Sequence, residues 1–268
     1  MASRSFWKGY LKLSLVNCPV AMTPAISESE KVRFRTLNGK TGNRVVSQYV
    51  DAESGEPVDE EDEVKGYPRG KDDFVLLEDD ELEAVALESA HTIDIETFVP
   101  AGSIEWIWYD RPHYLIPDDP VGEEAFLVIR DAMQSTGMVG ISRLVLYRRE
   151  RAVMLEPRDK GIVLWTLRYG DEVRDPKDYF GKIGDLKIDA ELMKLVTRLI
   201  EEHGASWDPA MVRDPVQEKL LDIIAAKKKG RKVRSRTETS TEAPSAKVIN
   251  IMDALKRSLS SESKSKAR

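Results

Sequence analysis

The residues with the clearest chemical potential are a cluster of cations near the carboxyl end. Seven Lys and Arg residues occupy the ten positions from Lys227 to Arg236. Such a run can contact nucleic-acid phosphates without reading bases. The whole chain is nevertheless acidic, with a formal net charge of −6. Residues 227–268 hold 13 Lys and Arg against 4 Asp and Glu, or +9, which leaves 28 against 43, or −15, for residues 1–226. An acidic body therefore precedes a basic tail.

Motifs for catalysis are weak in this sequence. Gly39-Lys40-Thr41 resembles the end of a phosphate-binding loop, but Phe34 stands where that loop needs glycine. The motifs GxGxxG, GxSxG and HExxH do not occur. The acidic run Glu78–Glu81 could hold Mg²⁺, although a solvated helix start explains it better. The single cysteine and the three histidines have no ligand spacing: Cys18, His91, His113 and His203. We expect no catalysis, metal or cofactor.

The length and composition favour one main folded body. A chain of 268 residues with 41% hydrophobic content can bury a sizeable core. One cysteine permits no internal disulfide, and no run of about 18 apolar residues marks a membrane span. We therefore expect a protein of the reducing cytoplasm that does not associate with membranes.

Alternating apolar and polar residues predict β-strands over the first two thirds of the chain. The pattern occurs at Leu11–Leu15, Lys31–Arg35 and Ile104–Trp108. In the second of these, alternation gives one apolar and one cationic face. Three apolar runs between Ile141 and Tyr169 predict an antiparallel meander, with turns at Arg148–Arg151 and near Gly161.

Three helices are predicted in the folded body and one in the tail. The first runs from Glu123 to Thr136, with Gly137 as its stop. The others start at the caps Asp189 and Asp214 and end at His203 and Lys229. After residue 230 the composition is too polar to form a core. One short amphipathic segment in that tail predicts a docking helix through these residues: Val248, Met252, Leu255 and Leu259.

Several stretches, in order, resemble the bacterial Ku proteins, the DNA-end-binding factors of non-homologous end joining. The opening RSFWKGYLKLSLVNCPVAMTPA is similar to the start of that family, and FRTLNGKTGNRV and EVKGYPRGKDDFVLLEDDELEAV follow. The resemblance continues through AFLVIRDAMQSTGMVGISRLVLYRRERAVMLEPRDKGIVLWTLRYGDEVR and DPVQEKLLDIIAAKKKG, covering roughly residues 1–230. In the tail, NIMDALKRSL is similar to a terminal motif of many bacterial Ku chains.

The resemblance implies a β-rich α+β fold. A Ku-core β-barrel would occupy residues 1–186, with a bridging arm at about 31–73, followed by a helical segment at 187–229. Residues 230–268 would form a basic flexible tail with the docking helix at about 247–259. The resemblance further implies a homodimeric ring, without catalysis, that threads onto double-stranded DNA from an end. Many relatives carry paired cysteines in the arm, whereas this chain has none there.

The resemblance and the charge pattern together give candidate site residues. A ring that touches only the DNA backbone needs cations on its inner surface. The candidates for nucleic-acid binding are Arg33, Arg35, Lys40, Arg44, Arg148, Arg149, Arg151, Lys227, Lys228, Lys229, Arg231 and Lys232. By resemblance, the docking helix recruits DNA ligase D, and the protein lies with DNA in the bacterial nucleoid.

Other interpretations of the same residues stay open. Charged runs are often only solvated surface, and the docking helix could fold back on its own body. A generic architectural protein would bind nucleic acid through its tail alone. A metal-dependent nuclease would use the acidic clusters and would degrade DNA when Mg²⁺ is added.

Overall fold

The computed structural model describes residues 6–71, 73–85 and 91–230, which fall into two compact units. The first contains described residues 6–30 and 34–175, and the second contains residues 31–33 and 176–230. The strands are β1 (Trp7–Leu13), β2 (Val16–Pro24), β3 (Lys65–Gly70), β4 (Asp73–Leu77), β5 (Thr92–Pro100), β6 (Tyr109–Pro117), β7 (Met138–Leu146), β8 (Arg149–Arg158) and β9 (Gly161–Leu167). The helices are α1 (Asp79–Ala84), α2 (Pro120–Thr136), α3 (Lys177–Phe180), α4 (Ala190–His203) and α5 (Pro215–Lys228).

Seven strands of the first unit form a closed barrel in the order β1-β2-β6-β9-β8-β7-β5. All neighbouring pairs are antiparallel except β1 and β5, which run parallel and close the barrel. Strands β3 and β4 form a separate antiparallel hairpin. Alternate residues of the barrel strands point inward, so the core includes Leu11, Val20, Met22, Ile93, Leu115, Val153, Leu155 and Leu164.

Helix α2 covers one end of the barrel. Its cap Asp119 accepts the backbone N–H of Gly122 at 2.6 Å, and Gly137 ends the helix with φ of 65°. Its stripe of Phe126, Ile129 and Met133 is buried in the same cluster as the inward-facing strand residues. The helix packs against β2, β6, β7, β8 and β9. The sequence prediction of this helix and of its apolar stripe is confirmed.

The predicted meander is also confirmed. Strands β7, β8 and β9 pair in sequence, with Leu144 opposite Arg151 and Leu155 opposite Leu164. Only two residues, Tyr147 and Arg148, connect β7 to β8, and both have positive φ, 52° and 62°. That geometry suits the right-handed twist of a tight hairpin but is rare for a bulky side chain.

Three predicted strands differ from the structure. Residues 31–35 form no strand: the Val32 N–H donates instead to the Gln217 side chain at 3.2 Å, and Phe34 is exposed. Strand β1 stops before Leu15, which lies in a tight turn and is 98% exposed. The stretch Trp106–Trp108 is a 3-10 helix. The pattern at Leu11–Leu15 is therefore a strand through Leu13, whereas the other two were too short to require a partner strand, and alternation alone cannot supply one.

Helices dominate the second unit. Asp189 and Asp214 accept N–H groups at the starts of α4 and α5, as predicted. The apolar stripe of α4 is only half-buried, and the described residues of this unit include none that is fully buried. Among residues 6–71, 73–85 and 91–230, no helix is long and apolar enough to cross a bilayer.

Candidate nucleic-acid interface

A hydrogen-bonded turn presents Lys40 to solvent. The Asn38 Oδ1 atom accepts the backbone N–H groups of Lys40 at 2.9 Å and Thr41 at 3.4 Å. The Gly42 N–H donates to the Asn38 carbonyl at 2.7 Å, and Gly42 has φ of 74°, a value that favours glycine. The stretch that resembled a phosphate-binding loop is thus a compact turn with a lysine at its tip.

Arg35 and Arg44 flank this turn. Leu37 and Arg44 face each other in an isolated antiparallel bridge, and the Val45 N–H donates to the Thr36 carbonyl at 3.1 Å. Arg35, Lys40 and Arg44 are all exposed. Within the part of the chain that the structure describes, no carboxylate forms an ion pair with any of the three. Their charges are therefore available to an external anion. We call residues 35–44 the cationic turn.

A second turn of similar design carries the opposite charge. The Asp51 Oδ1 atom accepts the backbone N–H groups of Glu53 at 2.9 Å and Ser54 at 2.8 Å, and Gly55 has φ of 72°. These backbone donors, Ser54 first, lower the pKa of Asp51, because they stabilise its ionised form. Phosphates would therefore contact the cationic turn and avoid the second.

The three arginines of the β7–β8 region do not gather at a turn as predicted. Arg148 lies in the turn, 3.3 Å from Glu83, with both side chains largely exposed. Arg149 and Arg151 belong to β8, where alternation places them on one face of the strand. Pairing between β7 and β8 extends to Arg149, so the turn is too short to hold all three.

The charge of Arg151 is already balanced inside the first unit. Its guanidinium lies 4.0 Å from Asp110 and 5.4 Å from the centroid of the Tyr169 ring. Arg168 approaches the same carboxylate at 3.6 Å. Because its side chain is only 26% exposed, Arg151 is a poorer candidate for phosphate contact than the residues of the cationic turn.

The remaining candidates belong to the second unit or lie outside the described residues. Lys227 and Lys228 form the last turn of α5, and Lys229 caps it. Cations at a helix carboxyl end also interact favourably with the helix dipole. Arg33 is exposed in this unit. Outside the described residues lie Arg231, Lys232, Val248, Met252, Leu255 and Leu259.

The β3–β4 hairpin supplies two cations that the sequence predictions omitted. Lys65 lies 3.1 Å from Asp79, and Arg69 lies 2.9 Å from Asp73. Both side chains are at least 69% exposed, so these pairs are weak. The alternation of Lys65, Tyr67 and Arg69 was the signal that could have identified them.

The barrel has a counterpart among known protein families. A family model described as "Ku70/Ku80 beta-barrel domain" matches residues 12–194, more than half of the chain. This chain belongs to the Ku family. The match confirms the predicted Ku barrel, and it extends beyond the barrel into α4.

Curated relatives match this Ku chain over nearly its whole length. A "Non-homologous end joining protein Ku" of Methylocella silvestris is 65% identical over 261 residues, covering 97% of this chain and 96% of the relative. The protein of the same name from Gluconacetobacter diazotrophicus is 59% identical, and the match covers 98% of this chain and 99% of the relative. A solved SPOC domain of human PHD-finger protein 3 is 8% identical, with a TM-score of 0.30 over 61% of this chain and 95% of that one, which is too slight to carry an argument.

Proposed function

We propose that this Ku chain binds the ends of double-stranded DNA, independently of sequence, in non-homologous end joining. The observation that carries the proposal is the near full-length match to relatives whose name assigns them to that process. The cationic turn supports it, because three exposed cations that form no ion pair with the described carboxylates suit phosphate contact. Phosphate contacts fix position on the duplex without reading bases.

The chain acts as a homodimer whose two copies surround the DNA. Exposed apolar side chains in the second unit support this part of the proposal, because large apolar side chains that contact water in such number are typical of an interface with another protein. They include Phe180, Ile183, Leu186, Ile188, Ile200, Trp207, Met211, Val212 and Val216. Sedimentation should give a mass twice that of one chain, and a single-chain mass would refute the dimer.

Selectivity for ends follows from topology in this scheme. A duplex end can enter a closed ring, whereas a covalently closed circle cannot. The charge of −15 on residues 1–226 would repel DNA from outer surfaces and so disfavour side-on binding. The test is a gel-shift titration of one plasmid, linear against relaxed closed circle, without added metal. We expect the linear form to bind more tightly, and equal affinity would refute threading.

The tail turns end binding into repair by recruiting a partner. Residues 247–259, with their apolar stripe, would bind DNA ligase D, and the basic residues from Lys227 onward would add phosphate contacts. Changing Leu255 and Leu259 to Asp should abolish stimulation of the ligase while DNA affinity is retained. Unchanged stimulation would leave the segment without this role.

One rival function is favoured by a specific observation, the seven cations between Lys227 and Arg236. If the tail alone binds nucleic acid, a peptide of residues 227–268 should match the full chain in affinity and show no preference for ends. The threaded ring predicts that the peptide binds much more weakly than the full chain at moderate salt.

A further inference from the structure

The barrel end opposite α2 is open and leads into a cavity of about 580 Å³. This volume is in the range of pockets that bind small ligands or peptide side chains. We call it the mouth cavity, and all of its lining residues belong to the first unit. They are Phe6, Pro24, Ile26, Glu28, Asp110, Arg111, Pro112, His113, Leu146, Tyr147, Arg151 and Thr166.

One side of the mouth cavity is apolar and aromatic. Phe6 and Tyr147 lie with ring centroids 5.6 Å apart, and they are 41% and 76% exposed. Pro24, Ile26 and Leu146 continue this wall. Tyr147 is held in the left-handed region with φ of 52°, a conformation that is rare for a bulky residue. The hairpin thus places a large exposed ring at the rim at a local energetic cost.

A β-bulge in β6 brings two adjacent charged residues to the same cavity. Tyr109 pairs with Leu167 but Pro112 pairs with Trp165, so β6 has one extra residue at this point. Asp110 and Arg111, the two residues at the bulge, both line the mouth.

The bulge leaves one cation uncompensated. Asp110 is already shared by Arg151 at 4.0 Å and Arg168 at 3.6 Å. Among the described residues, no carboxylate forms an ion pair with the guanidinium of Arg111. Glu28 is the other carboxylate on the lining, and it has an interaction of its own. An anionic group entering the cavity would find Arg111 available.

His113 offers a buried polar atom in the same lining. The residue is only 6% exposed, and its Nδ1 atom makes no hydrogen bond within the described part of the chain. Burial lowers the pKa of His113, and the Arg111 charge acts in the same direction, although the backbone of Arg111 and Leu164 and the charge of Asp110 oppose the shift. Because the ring lies in the lining, its NMR signal reports on occupancy of the cavity.

We propose that the mouth cavity binds a peptide of a partner protein that presents an apolar side chain beside a carboxylate. The apolar side chain packs between Phe6, Ile26 and Tyr147, the carboxylate pairs with Arg111, and the His113 ring lies beside them in the lining. Nucleic acid fits this lining less well, since one wall is apolar and aromatic and a single arginine cannot pair with the successive phosphates of a strand. The site is additional to DNA-end binding and to the tail segment.

Imidazole NMR of the full-length chain tests the proposal directly, because the sequence has only three histidines. His113→Gln assigns the relevant signal. The probes are acetyl-Ala-Phe with a free carboxyl end, acetyl-Asp-Phe-amide, and the matched uncharged acetyl-Asn-Phe-amide, each titrated to about 10 mM because one anchored residue gives roughly millimolar affinity. The first two probes separate a chain terminus from an acidic side chain as the source of the carboxylate.

We expect a saturable shift of the His113 signal with at least one carboxylate probe and at least fivefold weaker binding of the Asn peptide. Arg111→Gln should remove that difference, and the matched variant Arg158→Gln at the other end of the barrel should keep it. No saturable shift, equal binding of the Asp and Asn peptides, or the same shift with a short DNA duplex would overturn the proposal. The affinity of Arg111→Gln for DNA should equal that of the unsubstituted chain. Loss of peptide binding can therefore be told apart from loss of DNA-end binding.

Discussion

The cationic turn gives a quantitative prediction for DNA binding. The change is the double substitution Lys40→Gln and Arg44→Gln in the full-length chain. Both side chains are exposed, and neither has an ion pair in the described structure that its removal would break. Two hydrogen bonds shape the turn: the Lys40 backbone N–H donates to Asn38 Oδ1, and the Gly42 N–H donates to the Asn38 carbonyl. Neither bond uses the side chain of Lys40 or Arg44. The substitutions therefore remove charge while the local fold is retained.

The expected magnitude follows from counterion release. Each phosphate contact contributes about 0.9 to the slope of log K against log salt concentration, so removing two should reduce the slope by about 1.8 per chain. At 0.1 M monovalent salt, two contacts correspond to about 60-fold in affinity, so a dimer that loses them from both copies should bind about 4,000-fold more weakly. The decrease should be equal for duplexes of different sequence, because phosphate contacts carry no base information.

Fluorescence anisotropy with a short labelled duplex at several salt concentrations measures both quantities. The matched control is Arg158→Gln with Lys160→Gln, which removes the same charge from the exposed β8–β9 hairpin of the same unit and breaks only the exposed pair of Arg158 with Glu156. We expect the control to change the slope by far less. If both variants weaken binding equally, only net charge matters, and the assignment of the cationic turn is refuted.

Further predictions concern the core, the thiol, pH and the tail. Phe126→Ala should lower the free energy of unfolding, measured with urea, by about 3–5 kcal/mol, because this ring is fully buried under the barrel; a smaller decrease would contradict that packing. Cys18 is buried and its pKa is raised, first by burial and then by the charge of Asp119, so a thiol reagent should label it only after unfolding. The pKa of His113 is lowered in the fold, so its contribution to stability is present above pH 6.5 and is lost as pH falls from 6.5 through the folded-state pKa. His113→Gln should remove that part of the pH dependence of the free energy of unfolding, measured with urea. A pH profile identical to that of the unsubstituted chain would contradict this prediction. Truncation after Gly230 should reduce the salt slope by about 0.9 for each phosphate that the tail neutralises, whereas an unchanged slope would leave the tail without a DNA role.

The elements with long, consistent patterns could be predicted from the sequence. Helix α2 shows an apolar stripe over about two turns together with a stop glycine, and both signals are local. The meander was predictable because three β-rich runs are separated in the sequence by only four or five residues, which permits little besides hairpins; the structure shortens each connection to two residues. The caps Asp189 and Asp214 were predictable because their side chains bond within three residues.

Features that depend on distant partners were not predictable. Lys31–Arg35 alternates like a strand, but no neighbouring strand pairs with it among the described residues, and Val32 bonds to Gln217, 185 residues away. The Asp110 carboxylate is shared by Arg151 and Arg168 only because β6, β8 and β9 are neighbours in the barrel. The extra residue in β6 likewise appears only when its register with β9 is known.

For the candidate interface, charge alone did not separate available cations from balanced ones. Arg151 and Lys40 look equivalent in the sequence, yet the first is paired and the second is exposed at the tip of a turn. The distinction needs three-dimensional contacts, because a salt bridge joins residues from separate strands. Because Arg151 is ion-paired and the residues of the cationic turn are not, substitutions in the cationic turn are the better first test of phosphate contact.

The measurement that tests the central claim most directly is topological trapping. Protein is loaded on linear plasmid, the plasmid is circularised by an added ligase, and the salt concentration is then raised. A threaded ring predicts that protein stays on the closed circle at a salt concentration that strips it from linear DNA, and that cutting the circle releases it. Equal removal from circular and linear DNA would contradict threading and would make the basic tail the main DNA-binding element.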